Sequence, residues 1–313
     1  MANKTKLSRR IIALITAAIF VAVLGLTFLG FYIYFWTLHG KLQVWRPDYD
    51  MLSTTELWTI YQKESLSDED YRILFEQTGL TKVGIDRAKA QKRGWLKVLA
   101  TQQSYFKERG VAPALYAPLI CTDFVDGDPA EVTFLERGDI IISSATHFSG
   151  FKIGHSAIVT DGYFGLIYQS NQVGIANGYA TVSEMFSSRI NFMVLRIKPE
   201  FFSENGVDDD SYRNNLNRVT KYIETQFTDV PYSVFTGVFT KKDGMRSTSC
   251  SHLLWYGFKH FDDPRPGEES NTGKYNLDLD SNGRLLAMPK DIAQSPYVEL
   301  VQTYGFDPAK MYD

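Results

Sequence analysis

The sequence predicts an α+β fold: an antiparallel sheet and a helix that carries a nucleophile, preceded by an N-terminal transmembrane helix and a helical lead-in. Three observations predict it. Short β-branched runs follow one another between about residues 138 and 197. Helical patterns come before and after them, the order expected of segregated layers. A cysteine stands at the head of the last apolar helix, behind the small polar run Ser247-Thr248-Ser249.

The first element is the N-terminal one. Ile11 to Trp36 contains no charged residue. At 1.5 Å per residue it reaches about 39 Å, enough to cross a bilayer with tilt. Lys4, Lys6, Arg9 and Arg10 precede it and predict a cytoplasmic N-terminus. Phe31, Tyr32, Tyr34, Phe35 and Trp36 crowd its far end as an interfacial belt. The run exceeds a usual signal core and ends without a small-x-small site, so an uncleaved anchor is expected rather than a cleaved signal peptide. Everything after about residue 37 is then extracytoplasmic, on a bacterial surface.

Residues 37–114 form a juxtamembrane spacer and a helical segment. Ser53-Thr54-Thr55-Glu56 opens one helix with a serine cap and an acidic first turn. Ser67-Asp68-Glu69-Asp70 opens a second, with Leu66 and Tyr71 as a hydrophobic staple and Gly79 as the stop. A third is expected from Val83 to Arg109, striped by Trp95, Leu96, Val98, Leu99 and Phe106 and bent at Gly94. These helices are expected to pack on the domain that follows.

Residues 115–313 carry the short strands. Gly138-Asp139-Ile140-Ile141-Ile142 reads as a buried strand. His155 to Thr160 and Leu166 to Ser170 form a hairpin around Asp161-Gly162, and Phe192 to Ile197 is a further strand. Asp208 to Phe227 reads as a helix with an acidic start, and Ser249 to Phe261 as another, ending before Pro264.

Composition narrows the function. The chain has 313 residues, 33 Lys and Arg against 36 Asp and Glu, and a net charge of −3, so bulk charge implies no nucleic-acid partner. The basic cluster Lys82, Arg87, Lys89, Lys92, Arg93 and Lys97 reads as a solvated helix face. There is no His-Glu-x-x-His pattern and no glycine-rich phosphate loop. Asp278-Leu279-Asp280-Ser281-Asn282-Gly283 imitates the start of a calcium loop, but its twelfth position is Pro289, so a hairpin with an Asn-Gly turn is the better reading. The chemistry calls for no metal and no cofactor.

Cys250 sits on the first turn of its helix, where unpaired N–H groups and the helix dipole favour a thiolate. His155, behind Gly154 at the start of a strand, is the best base among the five histidines. His252, two residues from Cys250, points elsewhere and reads as structural; His147 reads as a loop residue. Cys121 reads as packing, with a Cys121–Cys250 disulfide as the alternative in an oxidising compartment.

Six pieces in order carry a resemblance: Arg137-Gly138-Asp139-Ile140-Ile141; Gly154-His155-Ser156-Ala157-Ile158-Val159; Ile167-Tyr168-Gln169-Ser170 with Val173-Gly174; Pro231-Tyr232-Ser233; Cys250-Ser251-His252-Leu253-Leu254-Trp255; and Met288-Pro289-Lys290-Asp291-Ile292 with Ser295-Pro296. Over about residues 136–301 the chain resembles the circularly permuted papain-like cysteine hydrolases of the NlpC superfamily, YiiX-like branch, which also resemble lecithin:retinol acyltransferase. The resemblance implies Cys250 as nucleophile, His155 as base, and a third polar residue on the next strand. Gln169 stands there where relatives often carry a carboxylate, with Asn171 as runner-up. Gln169 accepts an imidazole hydrogen bond but supplies no charge. Tyr232 matches a position that lines the cleft. The implied activity is a cysteine peptidase or amidase acting on cell-wall peptide. Lipid acyl transfer or ester hydrolysis is the alternative, and a non-catalytic wall-binding module the third.

Overall fold

A computed structural model describes residues 9–39, 43–112, 123–126, 131–143, 147–148, 151–152, 154–171, 175–186, 191–204, 210–238, 241–268, 271–280 and 283–305. Cys121, Val173-Gly174, Asn282 and the basic residues before position 9 lie outside them.

The N-terminal helix α1 spans Arg9–His39. Its apolar part, Arg9–Tyr34, has a mean hydropathy of 2.7 and none of it is buried against the protein. Length and apolarity are those of a signal or anchor segment. Strand β1 (Gln43–Trp45) begins four residues after α1 ends and pairs antiparallel with β2 (Arg109–Ala112), which pairs with β3 (Asp123–Asp126).

Between β1 and β2 lie four helices. Helix α2 (Thr54–Tyr61) starts at a Ser53 capping box closed by Glu56, and α3 (Asp68–Thr78) at a Ser67 box closed by Asp70, with Gly79 as its C-cap. The expected single helix from Val83 to Arg109 is two, α4 (Lys82–Lys89) and α5 (Gly94–Tyr105). The cause is Gly94. The chain folds back so tightly that a Cβ there would stand 1.7 Å from the Ala88 carbonyl oxygen. Gly94 does not bend a helix; it permits the corner that starts a new one. Leu57, Leu74, Leu80, Ile85, Ala88 and Val98 fill the interior of this group.

The main sheet has six antiparallel strands in the order β11-β10-β4-β7-β8-β9. They are β4 (Ile140–Ser143), β7 (His155–Asp161), β8 (Leu166–Gln169), β9 (Gly178–Thr181), β10 (Phe192–Ile197) and β11 (Val298–Tyr304). A separate hairpin, β5 (His147–Phe148) with β6 (Phe151–Lys152), lies between β4 and β7 in the chain. Alternation sorts the strand residues onto two faces. Ile140, Ile142, Ile158, Met193 and Leu195 pack under α8 (Asp210–Gln226) and α9 (Cys250–His260). Ile141, Ala157, Val159, Ile167 and Val194 pack on the other side with Tyr105 of α5 and Met185 and Phe186 of α6 (Val182–Phe186). Short helices α7 (Pro199–Phe202) and α10 (Pro289–Ala293) complete the set.

The helical lead-in is joined to the sheet by backbone. Thr81 N–H donates to Val301 O at 3.0 Å, and Thr303 N–H donates to Gly79 O at 2.9 Å. The chain 79–81 thereby satisfies the outer edge of β11, which would otherwise expose unpaired groups.

One buried ion pair braces the sheet. Arg196 on β10 gives Nε and Nη2 to the two carboxylate oxygens of Asp139, each at 2.8 Å, and Asp139 also accepts the Glu136 N–H. Asp139 of the Arg137-Gly138-Asp139 piece is therefore a clamp between β4 and β10.

Candidate active site

Cys250 is the first residue of α9, and the helix head is built as the small polar run requires. Ser249 is the N-cap and its hydroxyl accepts the His252 N–H. As the first residue, Cys250 presents its own N–H without an intrahelical acceptor. Three other segments close around this point. Thr248 N–H donates to Pro231 O at 2.9 Å and Ser233 N–H donates to Thr248 O at 2.7 Å, which sets half-buried Tyr232 beside the helix head. The Ser251 hydroxyl donates to Ala287 O. Gly154, in the left-handed region at φ +77°, leaves room for the Pro289 ring, which a Cβ would meet at 3.3 Å. Helix α9 itself packs against β7.

His155 opens β7, opposite Ser143 of β4, and is 2 % exposed. Its Nε2 lies 2.6 Å from Gln169 Oε1 on β8. An amide oxygen only accepts, so Nε2 carries the proton and Nδ1 is the basic nitrogen of the neutral ring. Gln169 holds the tautomer. Asn171, the runner-up, is exposed at the end of β8.

The residue next to His155 meets the sulfur. The N–H and hydroxyl groups of Ser156 and Ser251 lie against Cys250 and favour its thiolate. Among the described residues the Ser156 hydroxyl has no full hydrogen-bond partner. Burial outweighs these donors: Cys250 is 6 % exposed, and desolvation pushes its thiol up. Desolvation is thus the largest influence on the thiol, ahead of the donors at the helix head. Strand alternation adds a constraint. Ser156 and Ile158 point to the α9 side, Ala157 and Val159 to the other. His155, the terminal residue of β7, shares the parity of Ala157, as its partner Gln169 shares that of Ile167, so its ring would have to reach around the end of the strand to meet the thiol.

The remaining expectations fall out plainly. His252 is structural: its ring bonds the Thr248 hydroxyl at 3.0 Å and the Lys242 carbonyl at 2.7 Å, and burial holds its pKa down at about 4. The side chain of His147 lies outside the described residues, as does Cys121, so their readings stay expectations; Cys250 is a free thiol, which sets the Cys121–Cys250 disulfide aside. Asp278 accepts the Trp255 indole N–H at 2.6 Å and Asp280 pairs with Lys242 at 2.6 Å, so the calcium-like run serves α9 and its neighbours. Ser156, Ser251 and Ala287 were not singled out. The small polar residues flanking His155 and Cys250 are the signal for the two serines; nothing in the sequence points to the Ala287 carbonyl.

No protein family, no curated protein and no solved structure matches this chain.

Proposed function

We propose that the chain is a membrane-anchored extracytoplasmic cysteine hydrolase in which Cys250 is the nucleophile, His155 the base and Gln169 the residue that orients it. The observation that carries the reading is the buried His155–Gln169 hydrogen bond on the strand whose next residue touches the sulfur. His155 Nδ1 takes the thiol proton as sulfur attacks a carbonyl carbon. The Cys250 N–H, at the head of α9, stabilises the oxyanion. The protonated ring then gives its proton to the leaving group, and water releases the thioester. Tyr232 lines the approach. The N-terminal helix supports a place at the membrane, where the amide bonds of cell-wall peptide are within reach. The test is incubation of the full chain with wall peptides. Cleavage that disappears in Cys250→Ala supports the reading; intact peptides sink the amide assignment.

A second reading, lipid ester hydrolysis or acyl transfer by the same groups, is favoured by the apolar side chains beside the helix head. Phe235, Val238 and Leu285 are all exposed there. Released fatty acid from phospholipid vesicles, with no cleaved peptide, separates the two.

A further inference from the structure

Two of the apolar patches on the described surface lie at opposite ends of the sheet. One is the tip of the β7–β8 hairpin, where Tyr163 is 90 % and Phe164 68 % exposed. The other lies beside Cys250, where Phe235, Val238 and Leu285 are 45 %, 43 % and 70 % exposed. The two loops of this second patch touch, because a Cβ on Gly237 would stand 1.8 Å from Leu285 O. Phe235 follows Ser233, which is bonded to Thr248 at the helix head.

The register decides which patch is near the anchor. Tyr304 pairs with Phe192, Met193 with Ile142, and Ser143 with His155. Tyr304, Phe192, Ser143 and His155 therefore form one row at the same end of the sheet. From β11 to β7 is three strand spacings, about 14 Å. The hairpin tip is at the far end of β7, about 20 Å away along the strand. Arg109, the first residue of β2, donates to the Tyr304 hydroxyl at 2.5 Å and stacks over its ring at 4.7 Å. Arg109 pairs with Trp45 of β1, and β1 begins four residues after α1 ends. Four residues reach at most about 14 Å. The anchor is thus tied to the end of the sheet that carries His155 and Cys250.

Charge agrees with that placement. Lys241, Arg246 and Arg284 are exposed in the same two loops; Arg284 pairs with Asp291 at 2.8 Å, and Asp243 and Asp278 are acids of these loops. The hairpin tip 161–165 has no basic residue. Apolar side chains with Lys241 and Arg246 beside them suit an anionic bilayer surface.

We infer that the catalytic end of the sheet faces the bilayer, with Phe235, Val238 and Leu285 as its membrane-contact surface. The inference deepens the proposed function and rests on α1 being an uncleaved anchor. Its consequence is that a carbonyl reaches Cys250 from the membrane side, which favours a lipid-borne substrate over mature wall peptide.

The experiment uses the full chain in vesicles of phosphatidylcholine and phosphatidylglycerol, with the photo-crosslinking residue p-benzoylphenylalanine in place of Leu285 or, separately, of Phe164. Alkaline carbonate extraction precedes illumination. Lipid adducts at position 285, several-fold above position 164, are expected. Adducts favouring 164, equal at both, or absent from both overturn the orientation. A chain released by carbonate, shortened by the length of α1, overturns the anchor reading instead. Catalysis plays no part in the readout, so an inert thiol leaves the result standing.

Discussion

Replacing Asp139 by Asn should damage stability far more than chemistry. The carboxylate receives two hydrogen bonds from Arg196 and one from the Glu136 N–H, all at 2.8 Å. Arg196 is 5 % exposed and Asp139 1 %. Removing the negative charge leaves the buried guanidinium with one neutral amide acceptor at 139, the Phe134 carbonyl at 3.1 Å and a 3.6 Å contact to Glu136, and turns an amide NH2 towards it. Breaking one side of such a pair costs about 3–5 kcal/mol. For a domain of this size that is a melting-temperature drop of roughly 6–20 °C. The double variant Asp139→Leu with Arg196→Met removes both charges and should recover most of the loss. Thermal unfolding of the full chain in detergent, followed by near-UV circular dichroism, reads all three. The Cys250 alkylation rate of folded Asp139→Asn should match wild type. A loss under about 1 kcal/mol, or a double variant no better than the single, would refute the clamp. An unchanged melting temperature with a lost thiol reactivity would move Asp139 into the site.

Other expectations follow from the same contacts. Gly94→Ala places a Cβ against the Ala88 carbonyl and should cost several kcal/mol, at least about 2, by chemical denaturation. Ser249→Ala removes the cap of the nucleophile helix and should cost about 1 kcal/mol in the same assay. His252 is held neutral when folded, at about 4 against an ordinary value of 6.5. A depressed folded pKa gives stability that is present above 6.5 and fades as pH falls towards 4, by roughly 3 kcal/mol. Part of the acid unfolding between those pH values should vanish in His252→Asn. Gln169→Glu puts a charge against the imidazole and should shift Cys250 alkylation to lower pH by about one unit. Gln169→Leu, which strands the ring N–H, should slow it. Coincident profiles for both variants would uncouple Gln169 from the thiol.

The local devices were legible because each is written in adjacent residues. Ser53 and Glu56, Ser67 and Asp70, and Ser249 ahead of Cys250 form their caps where the sequence puts them. The β-branched runs became β4, β7, β8 and β10, since alternation and turn chemistry act over a few residues. What was not legible depends on distant partners. The edge strand Val298–Tyr304 carries Glu299, Gln302 and Thr303 and lacks a clean alternation; it is a strand because β10 on one side and residues 79–81 on the other complete its bonds. The break at Gly94 is set by the Ala88 carbonyl, a close approach that helix propensity does not encode. At the site, the helix-head position of Cys250 was visible and the burial that opposes its ionisation was not. The partner of His155 was narrowed to Gln169 or Asn171 by strand spacing; the β7–β8 register, continued, sets Gln169 opposite Ala157, diagonal to His155, and the hydrogen bond between the two side chains decides for Gln169.

The central claim is that Cys250 and His155 act as a pair. The direct measurement is the iodoacetamide alkylation rate of Cys250 against pH, in wild type and in His155→Ala, with the modified cysteine identified by mass. Burial alone holds the thiol up, so a working imidazole must bring thiolate reactivity to lower pH than the variant shows. The account predicts a wild-type profile at least about one pH unit below that of His155→Ala. Superimposable profiles would contradict it, and would mean that a fold with the right helix head and the right histidine does not join them.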